Sequence, residues 1–304
     1  MIGKLNYFKA QYNNGYSVKS VQEDSTTKSG IENLLKTEFN NGIIISAYSG
    51  NGLIEGRNSF CYFYEPLGKN NKTFLKVNAP GNKSLLLKEY EILKMLYGDI
   101  IVGFHNIDDG VGVLEMKELY KRSVLNTPLM AKELIGNVAK KLKRFDASKY
   151  EMYDIQDLLS ASFSELSFLK EESYVKGLYQ PVLSILKELE DQIKKLPRVL
   201  CHGDYGDANV LTDENGNSVI IDWEDSFWGI DNYDYLYWLT FYNHRKHYSK
   251  QIFGDSFEKR KLNISIMILI TVIKEAMSVY NGEYKKHSLT AEDRISELLI
   301  YLNN

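Results

Sequence analysis

Cysteine is nearly absent from this 304-residue chain. Its two cysteines, Cys61 and Cys201, have no spacing that suits a zinc site, a redox pair or a disulfide framework. There is no surplus of basic residues either: 37 Lys and Arg stand against 40 Asp and Glu. A net charge of −3 excludes the general electrostatic footprint of a nucleic-acid binder. Long hydrophobic runs are missing. The longest, "ISIMILITVI" from Ile264 to Ile273, is about half of what spans a bilayer and reads as a buried helix. The opening "MIGKLNYFKAQYNNGY" lacks the apolar stretch of a signal peptide, so a cytoplasmic protein is expected. There is no internal repeat and no long disordered linker, and no protein partner is evident. What remains is an ordinary globular composition, 44% hydrophobic and 25% charged, with enough length for two domains or one large two-lobed domain.

The order of patterns along the chain is informative. After a polar start, "SGIENLLKTEF" reads as a helix stopped by the Asn40–Asn41–Gly42 turn. "GIIISAYS", "NSFCYFYE" and "KTFLKVN" read as strands. "KSLLLKEYEILKMLYG" has a helical period, and "DIIVGFHN" and "GVGVLEMKEL" return to strand. From about Pro128 the character is helical, with three amphipathic segments ending near Pro197. "NVL", the turn "TDENGN" and "SVIIDW" then form a hairpin, followed by the helical "NYDYLYWLTFYNHRKHY" and "KLNISIMILITVIKEAMSVYNG". The expectation is an α+β fold of two lobes around a cleft. A small antiparallel sheet with one helix occupies residues 1–117, and a larger helical lobe occupies 118–304.

The densest chemistry lies in "RVLCHGDYGDANVL", Arg198 to Leu211. Apolar strands flank its polar residues, which is how catalytic groups are fixed on loops. Asp204 and Asn209 are five apart, and the hairpin returns Asp222 to the side of Asn209. Asn209 and Asp222 can then chelate one hard cation such as Mg²⁺. Asp204 is left free to accept a proton from an attacking hydroxyl, as phosphoryl transfer requires. From Val199 to His244 there is no Lys or Arg, while carboxylates abound. A solvated acidic face accounts for Asp213 and Glu214 in the turn, but poorly for carboxylates at the ends of apolar strands. His202 has no partner at metal-ligand spacing and reads as a structural hydrogen-bonding residue.

"HGDYGDAN" followed by "IIDWE" resembles the signature of the aminoglycoside phosphotransferase and choline kinase superfamily, relatives of the protein kinases. The resemblance implies a protein-kinase-like two-lobe fold and a small-molecule kinase using ATP, with GTP left open, and Mg²⁺. It makes Asp204 the catalytic residue, Asn209 and Asp222 the metal ligands and His202 a loop organiser. It also makes Lys76 the phosphate-pairing lysine and Glu89 its helix partner, with Glu91 as the fallback. Backbone groups at Glu115, Met116 and Lys117 fall at the interlobe hinge that meets the adenine. Residues 49–58, "SGNGLIEGRN", resemble a phosphate-covering loop, although a plain hairpin turn fits equally.

Two departures from that family pattern concern the acceptor. Asp207 stands where a proline or small residue is usual, and after "IDWE" the proline is missing and Tyr235 replaces leucine. An acidic and aromatic rim of Glu224, Asp225, Trp228, Asp231 and Tyr235 is expected to bind a small cationic acceptor. An aminoglycoside-like antibiotic is favoured, with choline, ethanolamine or a sugar as alternatives. A catalytically silent nucleotide-binding regulator, a metal-dependent hydrolase and a protein kinase are the readings from other classes. The three intact catalytic positions weigh against the first.

Overall fold

Residues 25–39, 42–49, 59–66, 72–78, 83–108, 110–121, 125–280 and 288–303 are described in the computed structural model of the chain. Helix α1 (Ser25–Glu38) precedes strands β1 (Gly42–Ser49), β2 (Phe60–Pro66) and β3 (Thr73–Val77). Helix α2 (Lys83–Tyr97) follows, then β4 (Ile101–Asp108) and β5 (Val111–Lys117). The five strands form one antiparallel sheet, as the order of patterns predicts, and its strand order is β1-β2-β3-β5-β4. The Asn40–Asn41 turn, and all of the expected covering loop except Ser49, lie outside the described residues.

The period-2 alternation of the strands sorts side chains between two cores. Leu75, Val77 and Val113 face a small cluster with Ile31 and Leu35 of α1. Leu114 and Met116 point the other way, onto Leu86, Ile92, Leu93 and Leu96 of α2 and the main core. Lys76, flanked by Leu75 and Val77, must therefore project to the α2 side. Glu89 waits there, on the buried face of that helix.

Past the sheet come α3 (Pro128–Leu142), α4 (Ile155–Glu171) and α5 (Tyr179–Ile193). Two small antiparallel pairs follow: β6 (Val199–Cys201) with β9 (Phe227–Gly229), and β7 (Val210–Thr212) with β8 (Ser218–Ile220). The chain ends with α6 (Tyr233–Leu239), α7 (Lys250–Phe253), α8 (Phe257–Tyr280) and α9 (Ala291–Asn303). By length and composition α8 passes as a membrane span, yet Ile264 through Val272 are buried around its whole circumference. Helices α4, α5, α6 and α9 pack onto it, and a helix apolar on every side is what a central core position calls for.

Two features depart from the expected pattern. The single helix read over "NYDYLYWLTFYNHRKHY" stops at Leu239 and resumes as a 3₁₀ segment, Tyr242–His247. Thr240 Oγ1 donates to the Tyr237 carbonyl at 2.7 Å, competing with continued helix. The terminal helix α9 was not anticipated, and it supplies Arg294 to the site region described below.

Candidate active site

Lys76 joins three segments. Its Nζ lies 2.7 Å from Glu89 Oε2 on α2, 2.6 Å from Asp222 Oδ1 beyond β8, and 3.8 Å from Glu224 Oε2. Burial alone would lower the lysine pKa, but Glu89, Asp222 and Glu224 hold it well above the usual value. Burial also works against an ionised Asp222, and the Lys76 ammonium overrides it and keeps that carboxyl low. Glu89 Oε1 accepts the Asp222 backbone N–H at 3.1 Å, so one carboxylate fixes both the lysine and the backbone at Asp222. Glu91, the fallback partner, instead pairs with Lys149 on the surface. A second lysine of α2, Lys88, donates to the carbonyls of Glu224 and Ser226 at 2.8 and 3.0 Å and anchors the segment after Asp222.

Asp222 adopts left-handed backbone angles, φ 68° and ψ 56°, a conformation uncommon outside glycine and worth noting where function concentrates. The carboxylate oxygens of Glu89, Asp222 and Glu224 lie within 4.8 Å of one another. Desolvation, reinforced by Asp222, Glu89 and Asp225 against the pull of Lys76, pushes Glu224 up to about 8. Asn209 ends the 3₁₀ turn before β7, and its carbonyl accepts the N–H of Ile221, the residue before Asp222, at 3.0 Å. The Asn209 amide nitrogen donates to the Asp204 carbonyl and to Asp204 Oδ2 at 2.8 and 3.0 Å. Its amide oxygen is thereby turned away from Asp204. An oxygen set of Asn209, Asp222 and Glu224 suits Mg²⁺.

The loop carrying Asp204 is over-determined. His202 Nε2 donates to the Ile221 carbonyl at 2.8 Å, and its Nδ1 accepts the Asp204 N–H at 3.1 Å. The buried Asp234 carboxylate accepts the N–H groups of His202 and Gly203 at 2.9 and 3.0 Å. Gly203 has φ +90°, and a Cβ there would lie 2.5 Å from the Asp225 carbonyl oxygen, so only glycine fits. Tyr237 donates its hydroxyl to Asp204 Oδ1 at 2.8 Å. Burial and the neighbouring Asp204 carboxylate raise the phenol well above its usual value, so it remains a donor. Asp207 is also tied down. Its carboxylate accepts from Trp238 Nε1 at 2.7 Å and meets His244 Nε2 at 3.0 Å, with the imidazole stacked on the indole at 3.6 Å.

The structure thus gathers Lys76, Glu89, Asp204, Asn209 and Asp222, and it rearranges the rest. Glu115 and Met116 have strand neighbours on both sides within the sheet, and Glu115 also pairs with His105 at 2.7 Å. Of the three expected hinge residues, only Lys117 has a ladder partner on one side alone. The acidic, aromatic rim does not assemble. Glu224 belongs to the carboxylate cluster around Lys76. Asp225 and Trp228 are half-buried, and Tyr153 fixes their backbones: its hydroxyl donates to the Asp225 carbonyl and its carbonyl accepts the Trp228 N–H. Tyr235 is buried against Trp238, with Lys132 over its ring. Asp231 opens onto a separate 260 Å³ depression shared with Lys132 and Lys259. In their place the groups near Asp204 are Tyr237, Phe241 and Lys274. The sequence carried one signal for Tyr237: it lies three residues after Asp234, on the helix face that meets the catalytic loop.

No curated protein sequence matches the chain. Among solved structures, aminoglycoside phosphotransferase APH(4)-Ia superposes with a TM-score of 0.56 at 14% identity, covering 90% of this chain and 99% of that one. A choline/ethanolamine kinase family protein from Mesorhizobium loti gives 0.55 at 13%, covering 80% and 85%. Choline kinase LicA from Streptococcus pneumoniae gives 0.53 at 18%, covering 91% and 98%. At these identities the likeness establishes a protein-kinase-like fold. The model of the APH phosphotransferase enzyme family matches residues 67–250, well over half of the chain and the whole span from the third strand through the catalytic loop, so this protein belongs to that family and is a small-molecule phosphotransferase.

Proposed function

We propose that the protein transfers the γ-phosphate of ATP to a hydroxyl of a small molecule, with Mg²⁺ held by Asn209 and Asp222 and assisted by Glu224. The observation that carries this reading is the Lys76 ammonium set between Glu89 and Asp222, which brings together the sheet, the helix and the hairpin to which His202 ties the Asp204 loop. A metal ion bound there supplies positive charge against the charge gathered on the transferring phosphoryl group. Lys76 orients phosphate oxygens from the opposite wall. Asp204, with one oxygen on Tyr237 and the other on Asn209, orients the acceptor hydroxyl and takes its proton as the oxygen–phosphorus bond forms and ADP departs. The fixed loop contributes position, which is the largest part of what such a reaction needs from a protein.

The test is a pair of substitutions. Asp204→Asn keeps nucleotide affinity and loses at least a hundredfold in ADP release with the acceptor, since the base is removed and the metal site is intact. Asp222→Asn loses Mg²⁺-dependent nucleotide binding itself, read by calorimetry with AMP-PNP. Near-normal turnover in Asp204→Asn overturns the assignment.

A further inference from the structure

The acceptor side of Asp204 is built from α6, the residues after it and α8. Asp204, Tyr237, Phe241 and Lys274 each keep partial exposure there. The rings of Tyr237 and Phe241 stand edge to face, with centroids 5.7 Å apart and planes at 73°. Two aromatic faces meeting in this way beside a reactive carboxylate form a seat for a cation. That seat is filled by the chain itself. Lys274 Nζ lies 3.7 Å from the Tyr237 centroid and 3.6 Å from that of Phe241, and donates to Thr240 Oγ1 at 3.0 Å.

The surroundings hold this side chain in place. Phe241 is seated on Gly206 of the catalytic loop, where a Cβ would come within 2.7 Å of its ring. Arg294 of α9 donates to the Thr240 carbonyl at 2.5 Å and pairs with Glu275, the neighbour of Lys274 on α8. A guanidinium thus acts on the ammonium as a second cation, and the carboxylate beside it gives one oxygen to that guanidinium. Burial and Arg294 drive Lys274 down to about 7, against the pull of Asp204 and Glu275. An ammonium that is desolvated and next to a second cation is stabilised by any anion brought to it. A cationic acceptor finds its seat occupied and its charge opposed.

We propose that Lys274 determines acceptor specificity by occupying the aromatic seat a cationic alcohol would use and by selecting an alcohol with an anionic group near its reacting hydroxyl. The proposal rests on Asp204 being the residue that faces the acceptor, and it replaces the cationic acceptor expected from the sequence.

The experiment titrates the full-length protein, loaded with Mg²⁺ and AMP-PNP, with glycerol, glycerate, glycerol 3-phosphate, choline and tetramethylammonium. The two anions separate a carboxylate preference from a phosphate preference. In the wild type at least one of them binds tenfold or more tightly than glycerol, and choline and tetramethylammonium do not bind. Lys274→Ala abolishes the anion preference and gains tetramethylammonium binding, because the aromatic seat is vacated. Lys274→Met, which keeps the stem and its packing, loses the anion preference without gaining the cation, and so covers the case where the alanine variant does not fold. Wild-type binding of choline as tight as that of the anions overturns the proposal. So does the absence of anion binding while Mg²⁺–AMP-PNP still binds, and so does a preference unchanged in Lys274→Met. Failure of the wild type to bind Mg²⁺–AMP-PNP at all is a different result and overturns the phosphotransferase site instead.

Discussion

Replacing Lys76 by methionine tests the central electrostatic claim without any knowledge of the acceptor. The substitution preserves most of the side-chain volume and removes a cation that meets three carboxylates. Glu89 is the decisive partner, since only 1% of it is exposed. Breaking a buried pair by deleting one member costs about 3–5 kcal/mol, because the other charge is left without compensation. For a chain of this size each kcal/mol is about 2 °C in the unfolding midpoint, so a fall of about 6–10 °C is expected. Glu89 escapes part of that penalty by taking up a proton, so the loss is largest at high pH. A divalent cation offers positive charge to the same oxygens. Mg²⁺ at ten times its dissociation constant stabilises the folded state by about 1.4 kcal/mol, and the variant gains more from it than the wild type, whose Asp222 is already engaged by Lys76. Differential scanning calorimetry with and without Mg²⁺ reads both effects. A Lys76→Met protein that unfolds at the wild-type temperature refutes the view that this lysine is the counter-charge of the cluster.

Tyr237→Phe removes one of the two side-chain donors that orient Asp204 and leaves the ring in place; a charge-assisted bond of about 1.5 kcal/mol corresponds to about a tenfold fall in kcat with nucleotide affinity unchanged, measured by steady-state ADP release. His244→Phe keeps a ring beside Trp238 and loses the contact to Asp207; it lowers kcat several-fold by loosening the catalytic loop, and proteolysis at that loop accelerates. Lys274 also gives stability a pH dependence. Its folded pKa of about 7 lies below the unfolded value of 10.5, so between these pH values the unfolded chain holds the extra proton and stability rises with pH by up to about 1.4 kcal/mol per unit. Arg294, Glu275 and Asp204 are the charges acting on it. Lys274→Met flattens that slope in denaturant titrations at pH 7, 8 and 9.

Local pattern was sufficient for much of this molecule. Strand alternation places Lys76 opposite Leu75 and Val77, helical spacing puts Glu89 on the buried face of α2, and a hairpin of fixed register returns Asp222 to Asn209. These are consequences of short-range geometry, with periods of 2 and 3.6 residues and a turn, and a single sequence contains them. The rim residues failed for the opposite reason. Composition showed that Asp225, Trp228, Asp231 and Tyr235 were acidic or aromatic, but not which way each faced once β9 paired with β6 and α6 packed on the core. Tyr237, one helical turn past Asp234, is the residue of this helix that touches Asp204.

The sequence by itself therefore determined the sheet-then-helices order of the fold, the loop and hairpin that carry Asp204, Asn209 and Asp222, and the phosphotransferase class. Each rests on residues close in the chain or on periodic patterns that burial enforces. Only the tertiary structure decided what surrounds the acceptor. Lys274 lies 70 residues beyond Asp204 in the sequence, and Arg294 lies further still. What brings them to the catalytic loop is the packing of α8 and α9, driven by apolar surface that carries no record of which charged side chain will end beside the site. An acidic stretch free of Lys and Arg was thereby completed by two cations from distant helices, which reverses the sign of charge expected for the acceptor.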